Sequence, residues 1–480
     1  MDPPSLPAPA RSSVRQSVLY FATVAFGQGL PFLLLPIVTR YLTPEAYGHY
    51  ALALVVSSLV AMGTAQWVTN VGLRLYVDAY ARDATRAFYL SSSLLQTGLF
   101  IATYAAALAL LSVAGIHLAP LRVMLFAGLA QLVGNQYTYT TTLLRADQRA
   151  LPFTVAEVSA GIIRFGATAA GLAAGLRSAE LLFAATGLGF LLATGYATVA
   201  LWRGLIGVRL LDADGTRELL RAGPASLPFS MAGWLERLAD RLVLAFYAGP
   251  AVVGVYSVGY AVGERVIGSL VQAVFMVAWP SILNGWREAG ASGAAPAIAT
   301  AQRMYAWITV GPALFLLVFG RVLMGWFVGP SFEASAVVVP IIVASMWIGG
   351  FGAYLNRQFE LNKRYARLSG VSMAGAALNV GLNFLLIPSY GMAGAAAATL
   401  ANQVFNAAVF LAMMDRTLVR IQYGALAASL GSAGLAWLVS RAAGGRVGLA
   451  SGLFVAVYAA AALAALRRLE RDELRAGAAR

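Results

Sequence analysis

The chain has 480 residues, of which 60% are hydrophobic and only 11% are charged, and its formal net charge is +14. A soluble domain is about a quarter charged, so this composition, with a mean hydropathy of +0.73, excludes a soluble globular enzyme. The lack of cysteine excludes disulfides, Cys-ligated metals and thiol catalysis. The basic residues lie in short loops between apolar runs, a pattern of membrane topology that argues against nucleic acid as a partner.

Apolar runs of about 18 residues or more, long enough to cross a bilayer, recur along the whole chain. They predict an all-α polytopic membrane protein with about fourteen transmembrane helices. In chain order the predicted spans are 17–39, 50–73, 88–114, 119–143, 153–175, 179–202, 222–247, 251–282, 304–327, 333–356, 366–388, 391–414, 421–440 and 447–466. An even number of spans places both termini on one side of the membrane.

The distribution of arginine and lysine assigns that side. Of the 34 basic residues, 24 lie on the side of the termini, 6 lie on the opposite side, and 4 are assigned to the interior of the spans. Because cytoplasmic loops are enriched in Lys and Arg, both termini are predicted to be cytoplasmic. Residues 1–16, rich in Pro, Ala and Ser, are predicted to be disordered, and residues 467–480 to form a charged cytoplasmic tail near anionic lipid head groups.

The turn after the first predicted span recurs after the seventh span, 206 residues later. The matching pairs are Tyr41 and Tyr247, Pro44 and Pro250, Gly48 and Gly254, and Tyr50 and Tyr256. A weaker match joins residues 145–149 to residues 360–364. A unit of six spans therefore repeats in the same orientation, unless Pro-Gly turns recur through composition alone.

Parallel repeats of this kind are typical of transporters that alternate access to a central site. The repeat predicts two six-helix lobes, residues 17–203 and 222–416, around a central cavity. A cytoplasmic linker at 204–221 joins the lobes, and two extra helices follow at 417–466.

Eight charged residues within the predicted spans are candidates for a functional role. They are Glu157, Arg164, Glu236, Arg237, Asp240, Arg241, Glu264 and Arg265. Each costs about 2.5–3.5 kcal/mol at the centre of a spanning helix, so they are expected to face the bundle interior or a water-filled cavity. One interpretation is that the four acids and four bases form structural ion pairs.

The functional interpretation divides the same residues by charge. The candidate ligands of an anionic head group are Arg164, Arg237, Arg241 and Arg265, with Arg40 and Arg74 at the cavity mouths. Arginine suits a diphosphate because its planar fork binds bidentately. The candidates for taking up H⁺ or Na⁺ are Asp240, Glu157, Glu236 and Glu264. For Arg40 and Arg74 a topological role at the membrane interface is equally favoured, and no metal site or cofactor is predicted.

Carboxamide side chains form a further polar set within the spans. They are Gln66, Asn70, Gln131, Asn135, Gln136, Asn379, Asn383, Asn402, Gln403 and Asn406. Lining of a cavity and hydrogen bonding between helices explain them equally well.

The segment 33–50, together with Asp240-Arg241 and the following Gly254-Val255-Tyr256-Ser257, resembles the polysaccharide-transporter branch of the MOP superfamily. That superfamily includes O-antigen flippases, the lipid II flippase and the MATE drug exporters. The resemblance implies a flippase that moves undecaprenyl-diphosphate-linked oligosaccharide across the bacterial inner membrane by alternating access, for export of surface polysaccharide or O-antigen. It implies membrane lipids and polysaccharide polymerase or ligase machinery as partners, and a groove for the lipid tail beside the last two spans.

Alternating access requires a gate on the cytoplasmic side. The two matching cytoplasmic turns predict that this gate contains Arg145, Arg149, Arg357 and Arg364. The early arginines expected of the lipid II flippase are not matched beyond Arg40, which favours surface polysaccharide over a peptidoglycan role.

Two other functions remain as alternatives. A MATE-like cation-coupled exporter would usually have twelve spans. A polytopic glycosyltransferase or ligase would usually carry a sizeable outer loop, whereas every outer connection predicted here is short. The chain is therefore expected to transport its substrate without chemical change.

Overall fold

The computed structural model describes residues 29–207, 209, 211–443 and 446–478. Within these ranges every regular element is a helix, and no strand is present. This confirms the predicted all-α class. The predicted disordered segment 1–16 lies outside the described residues.

The helices follow one another with short connections. They are α1 (Gly29–Tyr41), α2 (Pro44–Ala61), α3 (Trp67–Ala81), α4 (Thr85–Val113), α5 (Leu121–Ala146), α6 (Ala150–Ala173), α7 (Ala179–Trp202), α8 (Ala213–Ala222), α9 (Leu227–Gly263), α10 (Ser269–Phe327), α11 (Val338–Leu361), α12 (Tyr365–Ala412), α13 (Tyr423–Arg441) and α14 (Val447–Ala478). Two π-helical segments, Met62–Gln66 and Glu264–Gly268, join α2 to α3 and α9 to α10.

Local sequence signals explain several boundaries. At the start of α2, Pro44 occupies the first turn and the Thr43 hydroxyl accepts a hydrogen bond from the Ala46 amide, which is a standard N-cap. The long helices break at glycines with positive φ, namely Gly249 in α9, Gly290 in α10 and Gly391 in α12. These conformations favour glycine because it has no Cβ.

The predicted spans agree with helical segments along the described chain. The break at Gly249 falls between predicted spans 7 and 8, and the break at Gly391 coincides with the first residue of predicted span 12. Residues 283–303 lie between predicted spans 8 and 9, but they belong to α10, which is helical on both sides of Ala289 and Gly290. In the described part of the chain, nine helices are long and apolar enough to cross a membrane, so the count of fourteen stays a prediction.

The described residues form two compact units. The first unit extends to Val255 and includes Val328–Phe332, and the second comprises 256–327 and the residues from Glu333 onward. In the first unit α5 and α6 both pack on α7, around a core that includes Trp67, Tyr139 and Leu201. The predicted lobe boundaries stay a prediction, because they were set by sequence recurrence and not by packing.

In the second unit, α11 packs on α12, and α13 and α14 pack on α10. The latter contact has its own apolar core, which includes Val310, Ala433, Phe454 and Tyr458. The two helices after the sequence repeat are therefore integral parts of this unit. Elsewhere large apolar side chains are exposed, such as Leu110 at 70% and Val113 at 89%, as expected of surfaces that face lipid.

Candidate functional site

The most deeply buried charges of the predicted site are Asp240 and Arg241 on α9, which are 1% and 7% exposed. Nη1 of Arg241 lies 3.0 Å from Oδ1 of Asp240 and donates a second hydrogen bond of 2.7 Å to the Arg237 carbonyl. The Arg241 side chain thus folds back along its own helix. Because a buried charge is tolerated only when paired and hydrogen-bonded, this ion pair accounts for both residues structurally.

The other charges of α9 are less buried. Arg237 is exposed and its Nε donates to the Gly233 carbonyl at 3.2 Å, while Glu236 is half-buried and has further interactions. The four charges therefore divide into a buried pair and a more accessible pair. Arg237 is the α9 arginine that is accessible to an anionic ligand.

Glu157 and Arg164 on α6 are both half-buried. The Glu157 carboxylate interacts electrostatically with the Tyr137 hydroxyl and the Arg145 guanidinium, both on α5. The structure thus supplies Glu157 with partners on a neighbouring helix. Arg164 lies where α6 meets Gly189 of α7, and the described residues offer its guanidinium no acidic partner at ion-pair distance.

Glu264 and Arg265 occupy the second π-helical segment, which begins where α9 ends. Both residues are half-buried, and Nη1 of Arg265 is a buried atom without a hydrogen-bond partner among the described residues. π-helical turns are rare in proteins, and those that occur are often at functional sites. Both charges were predicted site residues, but the sequence carries no signal for the π-helical turn that contains them.

Arg74 lies in a cleft of about 600 Å³ between α3 and α8. Arg217 and Arg221 of α8 line the same cleft, as do the acidic residues Asp214 and Glu218. Of these three arginines, only Arg74 was predicted from the sequence to bind the head group, because α8 belongs to the predicted linker. By contrast, Arg40 ends near the Pro36 carbonyl, to which it donates a 2.7 Å hydrogen bond, and it is exposed at the end of α1.

A buried cap fixes α8 in place beside this cleft. Asp212 is the N-cap of α8 and accepts a hydrogen bond of 3.0 Å from the Gly215 amide. The same carboxylate lies 3.1 Å from Arg82, just after α3. The interaction joins the linker helix to the end of α3, so it positions Arg217 and Arg221 relative to Arg74.

The predicted gate residues bind mainly within their own units. In the first unit Arg149 donates to the Ala200 carbonyl at 2.7 Å and lies 3.5 Å from Asp147, while Arg145 lies over the Phe153 ring.

In the second unit Arg357 pairs with Glu360 and lies 4.8 Å from the centroids of the Phe275 and Trp279 rings. Arg364 is exposed and interacts electrostatically with Asp415. Their role as a gate stays a prediction.

The carboxamides form two separate groups. In the second unit Asn383 donates to Asn379 at 3.1 Å and Asn406 donates to Asn402 at 3.2 Å, within the two halves of α12. In the first unit Gln131 donates to Asn135 at 2.9 Å. These bonds lie within one helix and join residues four apart, which was not predicted, whereas Gln136 bonds to Gln96 and to the Ser93 carbonyl on the neighbouring helix α4. Asn379, Asn383, Asn402 and Asn406 are buried, but Asn70 is exposed.

Comparisons with known proteins agree with this architecture. The model of the family described as "Polysaccharide biosynthesis protein" matches residues 14–286. A solved structure described as the lipid II flippase MurJ in an inward closed conformation matches with a TM-score of 0.73 at 11% identity and covers 96% of this chain and 100% of that chain. An inward-facing multidrug resistance MATE transporter of the MOP superfamily has a TM-score of 0.56 at 14% identity, covering 83% and 93%.

A curated relative, the probable low-salt glycan biosynthesis flippase Agl15 of Haloferax volcanii, is 23% identical over 184 residues, or 38% of this chain. The chain spans about two fifths of the length of that relative, 39%. The structural matches establish the fold, and the family model covers more than half of the chain. The chain therefore belongs to the polysaccharide biosynthesis protein family.

Proposed function

We propose that this protein is a flippase that moves a lipid-linked oligosaccharide across a membrane by alternating access. The finer form of the proposal is an undecaprenyl-diphosphate-linked substrate moved from the cytoplasmic to the outer leaflet of the bacterial inner membrane, for surface polysaccharide or O-antigen and for use by polymerase or ligase machinery. The family match supports a role in polysaccharide biosynthesis. The similarity over the full length of a lipid flippase supports translocation of a lipid-linked molecule.

The observation that carries the proposal is the arginine cleft between α3 and α8. Arg74, Arg217 and Arg221 line one cavity of about 600 Å³, on the side predicted to be cytoplasmic. Guanidinium groups bind phosphate oxygens in pairs of parallel hydrogen bonds. We infer that the cleft receives the diphosphate before translocation and that Arg164, which has no acidic partner among the described residues, contacts it deeper along the path.

Ion coupling is proposed to act through the Asp240–Arg241 pair. Protonation of Asp240, or binding of Na⁺ to its carboxylate, would remove the charge that holds Arg241 at 3.0 Å. A weaker attraction to Asp240 would favour binding of an anion by Arg241. Ion uptake and head-group binding would thereby be linked through the Asp240–Arg241 contact.

Purified protein in liposomes tests the function. Labelled undecaprenyl-diphosphate oligosaccharide is supplied in one leaflet, and its arrival in the other is followed with a membrane-impermeant lectin or glycosidase. We expect protein-dependent movement with unchanged substrate mass. A change in mass would identify a glycosyltransferase or ligase, and movement of organic cations in place of the lipid would identify a MATE-like exporter.

Variants of the arginine cleft test whether it binds the diphosphate. Arg217→Ala with Arg221→Ala should lower the initial rate at limiting substrate at least tenfold, because two of three cationic ligands are lost. Arg203→Ala is the matched control, since it removes an exposed arginine on the same predicted side that does not line the cleft. Equal rates for the double variant and the control would contradict the proposed diphosphate site.

A further inference from the structure

The first unit contains a second cavity, of about 140 Å³, where α2, α3 and α5 meet. The polar residues that line it are Ser58, Gln66, Thr69, Gln131, Asn135 and Thr138. The rest of its lining is apolar, and none of these described lining residues is charged. It therefore differs in chemistry from the arginine cleft.

A π-helical turn forms one wall of this cavity. Met62, Ala65 and Gln66 belong to the π segment Met62–Gln66 and line the cavity. A π turn places an extra residue in the helix and is frequently found at functional sites. The second π segment, Glu264–Gly268, occupies a similar place after the recurring turn but carries two charges. The two halves of the repeat thus differ at this position in the polarity of their π segments.

The two threonine hydroxyl groups of the cavity remain open to accept hydrogen bonds. The Thr69 hydroxyl donates to the Ala65 carbonyl at 3.2 Å, and the Thr138 hydroxyl donates to the Gly134 carbonyl at 2.9 Å. Each hydroxyl already uses its one proton in a hydrogen bond and keeps an oxygen lone pair as an acceptor. Both hydroxyls can therefore accept a hydrogen bond from a ligand.

The amide groups supply the complementary donor. The Asn135 oxygen accepts from Gln131 at 2.9 Å, whereas Nδ2 of Asn135 is buried and has no hydrogen-bond partner among the described residues. Asn135 is only 8% exposed. An unmade hydrogen bond at a buried donor is costly, so this nitrogen is a position that a ligand oxygen would satisfy.

A group that both donates and accepts, and that carries no charge, matches this cavity. Each hydroxyl of a sugar ring does both, whereas a uronate or a phosphate would lose its hydration without meeting an opposite charge. We propose that the cavity binds a neutral, hydroxyl-bearing sugar residue of the transported glycan, a proposal that rests on the proposed function. The neutral cavity then holds sugar, while the arginine cleft holds diphosphate.

A tryptophan beside the cavity reports its occupancy. Nε1 of Trp234 donates to the Ser58 hydroxyl at 3.1 Å, and Ser58 lines the cavity. Binding of a sugar would change the polarity and hydrogen bonding at this indole. Its fluorescence should therefore respond, and Trp234→Phe should remove the response without preventing binding.

The test titrates detergent-purified full-length protein with neutral methyl glycosides and N-acetylglucosamine, and separately with glucuronate and inorganic diphosphate at matched ionic strength. We expect saturable change of Trp234 emission with at least one neutral sugar, with Kd near the millimolar range, and none with glucuronate. Equilibrium dialysis of labelled sugar on Trp234→Phe should give the same Kd. No response of the native protein up to the solubility limit of the neutral sugars, or an equal response to glucuronate, would overturn the proposal.

Two variants connect binding with the cavity. Asn135→Asp keeps the side-chain size but replaces the free donor by a charge, and Thr138→Val removes an acceptor at a partly accessible position that should tolerate change. Each variant should weaken sugar binding at least tenfold. If Asn135→Asp fails to fold, Thr138→Val alone provides the test. Unchanged Kd in Thr138→Val would overturn the proposal. Sugar binding without any lipid movement in liposomes would instead contradict the proposed function and leave the cavity as a sugar site.

Discussion

Gly48 lies directly against the main-chain carbonyl of Pro250, and Gly254 lies in the same way against the carbonyl of Pro44. A Cβ atom added to Gly48 would stand 1.8 Å from the Pro250 oxygen, and one added to Gly254 would stand 2.0 Å from the Pro44 oxygen. These are four of the residues that recur 206 positions apart. The recurring turns are therefore also reciprocal partners in space, in the manner of a two-fold contact.

This relationship predicts that Gly48→Ala and Gly254→Ala are each destabilising. The atom that the new methyl group meets is a main-chain carbonyl, which cannot move aside as a side chain can, so we expect a cost of about 1–3 kcal/mol from overpacking. The measurement is the midpoint of thermal unfolding in detergent. Gly98→Ala within α4 is the matched control, because a Cβ there meets nothing within 4 Å and alanine favours the helix. An unchanged midpoint in both variants would show that the two helices do not approach this closely.

The buried pair on α9 predicts a coupling between two neighbouring substitutions. Asp240→Asn or Arg241→Met alone removes the buried ion pair and keeps one of its two charges, at a cost of about 3–5 kcal/mol. Replacing both residues removes both charges, so the double variant should recover a large part of that loss. Unfolding of the four proteins gives the interaction energy directly. Arg237→Met on the same helix is the control and should change stability little, because Arg237 is exposed.

The outcome also affects how transport data on Arg241 are interpreted. If Arg241→Met is unstable, its loss of transport reports folding, and only the double variant can test head-group binding. Strictly additive effects of the two substitutions would contradict the 3.0 Å contact.

The features that could be predicted from the sequence are those that depend on composition and charge along the chain. Long apolar runs and charge distribution specify helices, so the class and most segment positions agree with the structure. The cost of charge in hydrocarbon identified Asp240 and Arg241 as inward-facing. Their pairing was not predictable, because it depends on the Arg241 side chain folding back onto its own helix turn.

The parts that were missed depend on tertiary packing or on weak local signals. The π turns at 62–66 and 264–268 have no residue signature. The stretch 283–303 separates two predicted spans, yet it stays helical except at Ala289 and Gly290. The arginine cleft was missed because Arg217 and Arg221 are brought to Arg74 by the Asp212–Arg82 contact, 130 residues apart in sequence.

Asp147, in the turn between α5 and α6, predicts a specific pH dependence of stability. Burial raises the pKa of its carboxyl above the ordinary value, although Arg149 and the Tyr76 hydroxyl act in the opposite direction. A carboxyl with a raised folded-state pKa contributes stability below its unfolded pKa, near 4, and loses it as the pH rises through the folded pKa. Asp147→Asn should therefore be more stable than the native protein above that pH and should remove this part of the pH dependence.

Asp415 provides a control of opposite sign in the turn after α12. Hydrogen bonds from the Thr417 side chain and amide lower the pKa of the Asp415 carboxyl. Its contribution is present above the unfolded pKa and is lost as the pH falls through the folded pKa. Unfolding midpoints of Asp147→Asn and Asp415→Asn across the acidic range check these signs. Curves for Asp147→Asn and the native protein that differ by a constant would contradict the assignment.

Tyr458 on α14 predicts how firmly the last two helices are held. Its hydroxyl donates to the Trp307 carbonyl at 2.8 Å and bonds to Ser429 of α13 at 2.9 Å. Its ring covers Gly311 of α10 so closely that a Cβ there would lie 2.0 Å from a ring carbon.

Tyr458→Phe removes the hydrogen bonds but keeps the ring, and such bonds within membrane proteins average about 0.6 kcal/mol and reach about 1.7 kcal/mol. Gly311→Ala instead forces the ring to move and should cost more, about 1–3 kcal/mol. Hydrogen exchange of α13 and α14 should accelerate in this order, with Gly325→Ala on α10 as a control that meets nothing within 4 Å. If Tyr458→Phe proved more disruptive than Gly311→Ala, hydrogen bonding and not close packing would be what anchors these helices to α10.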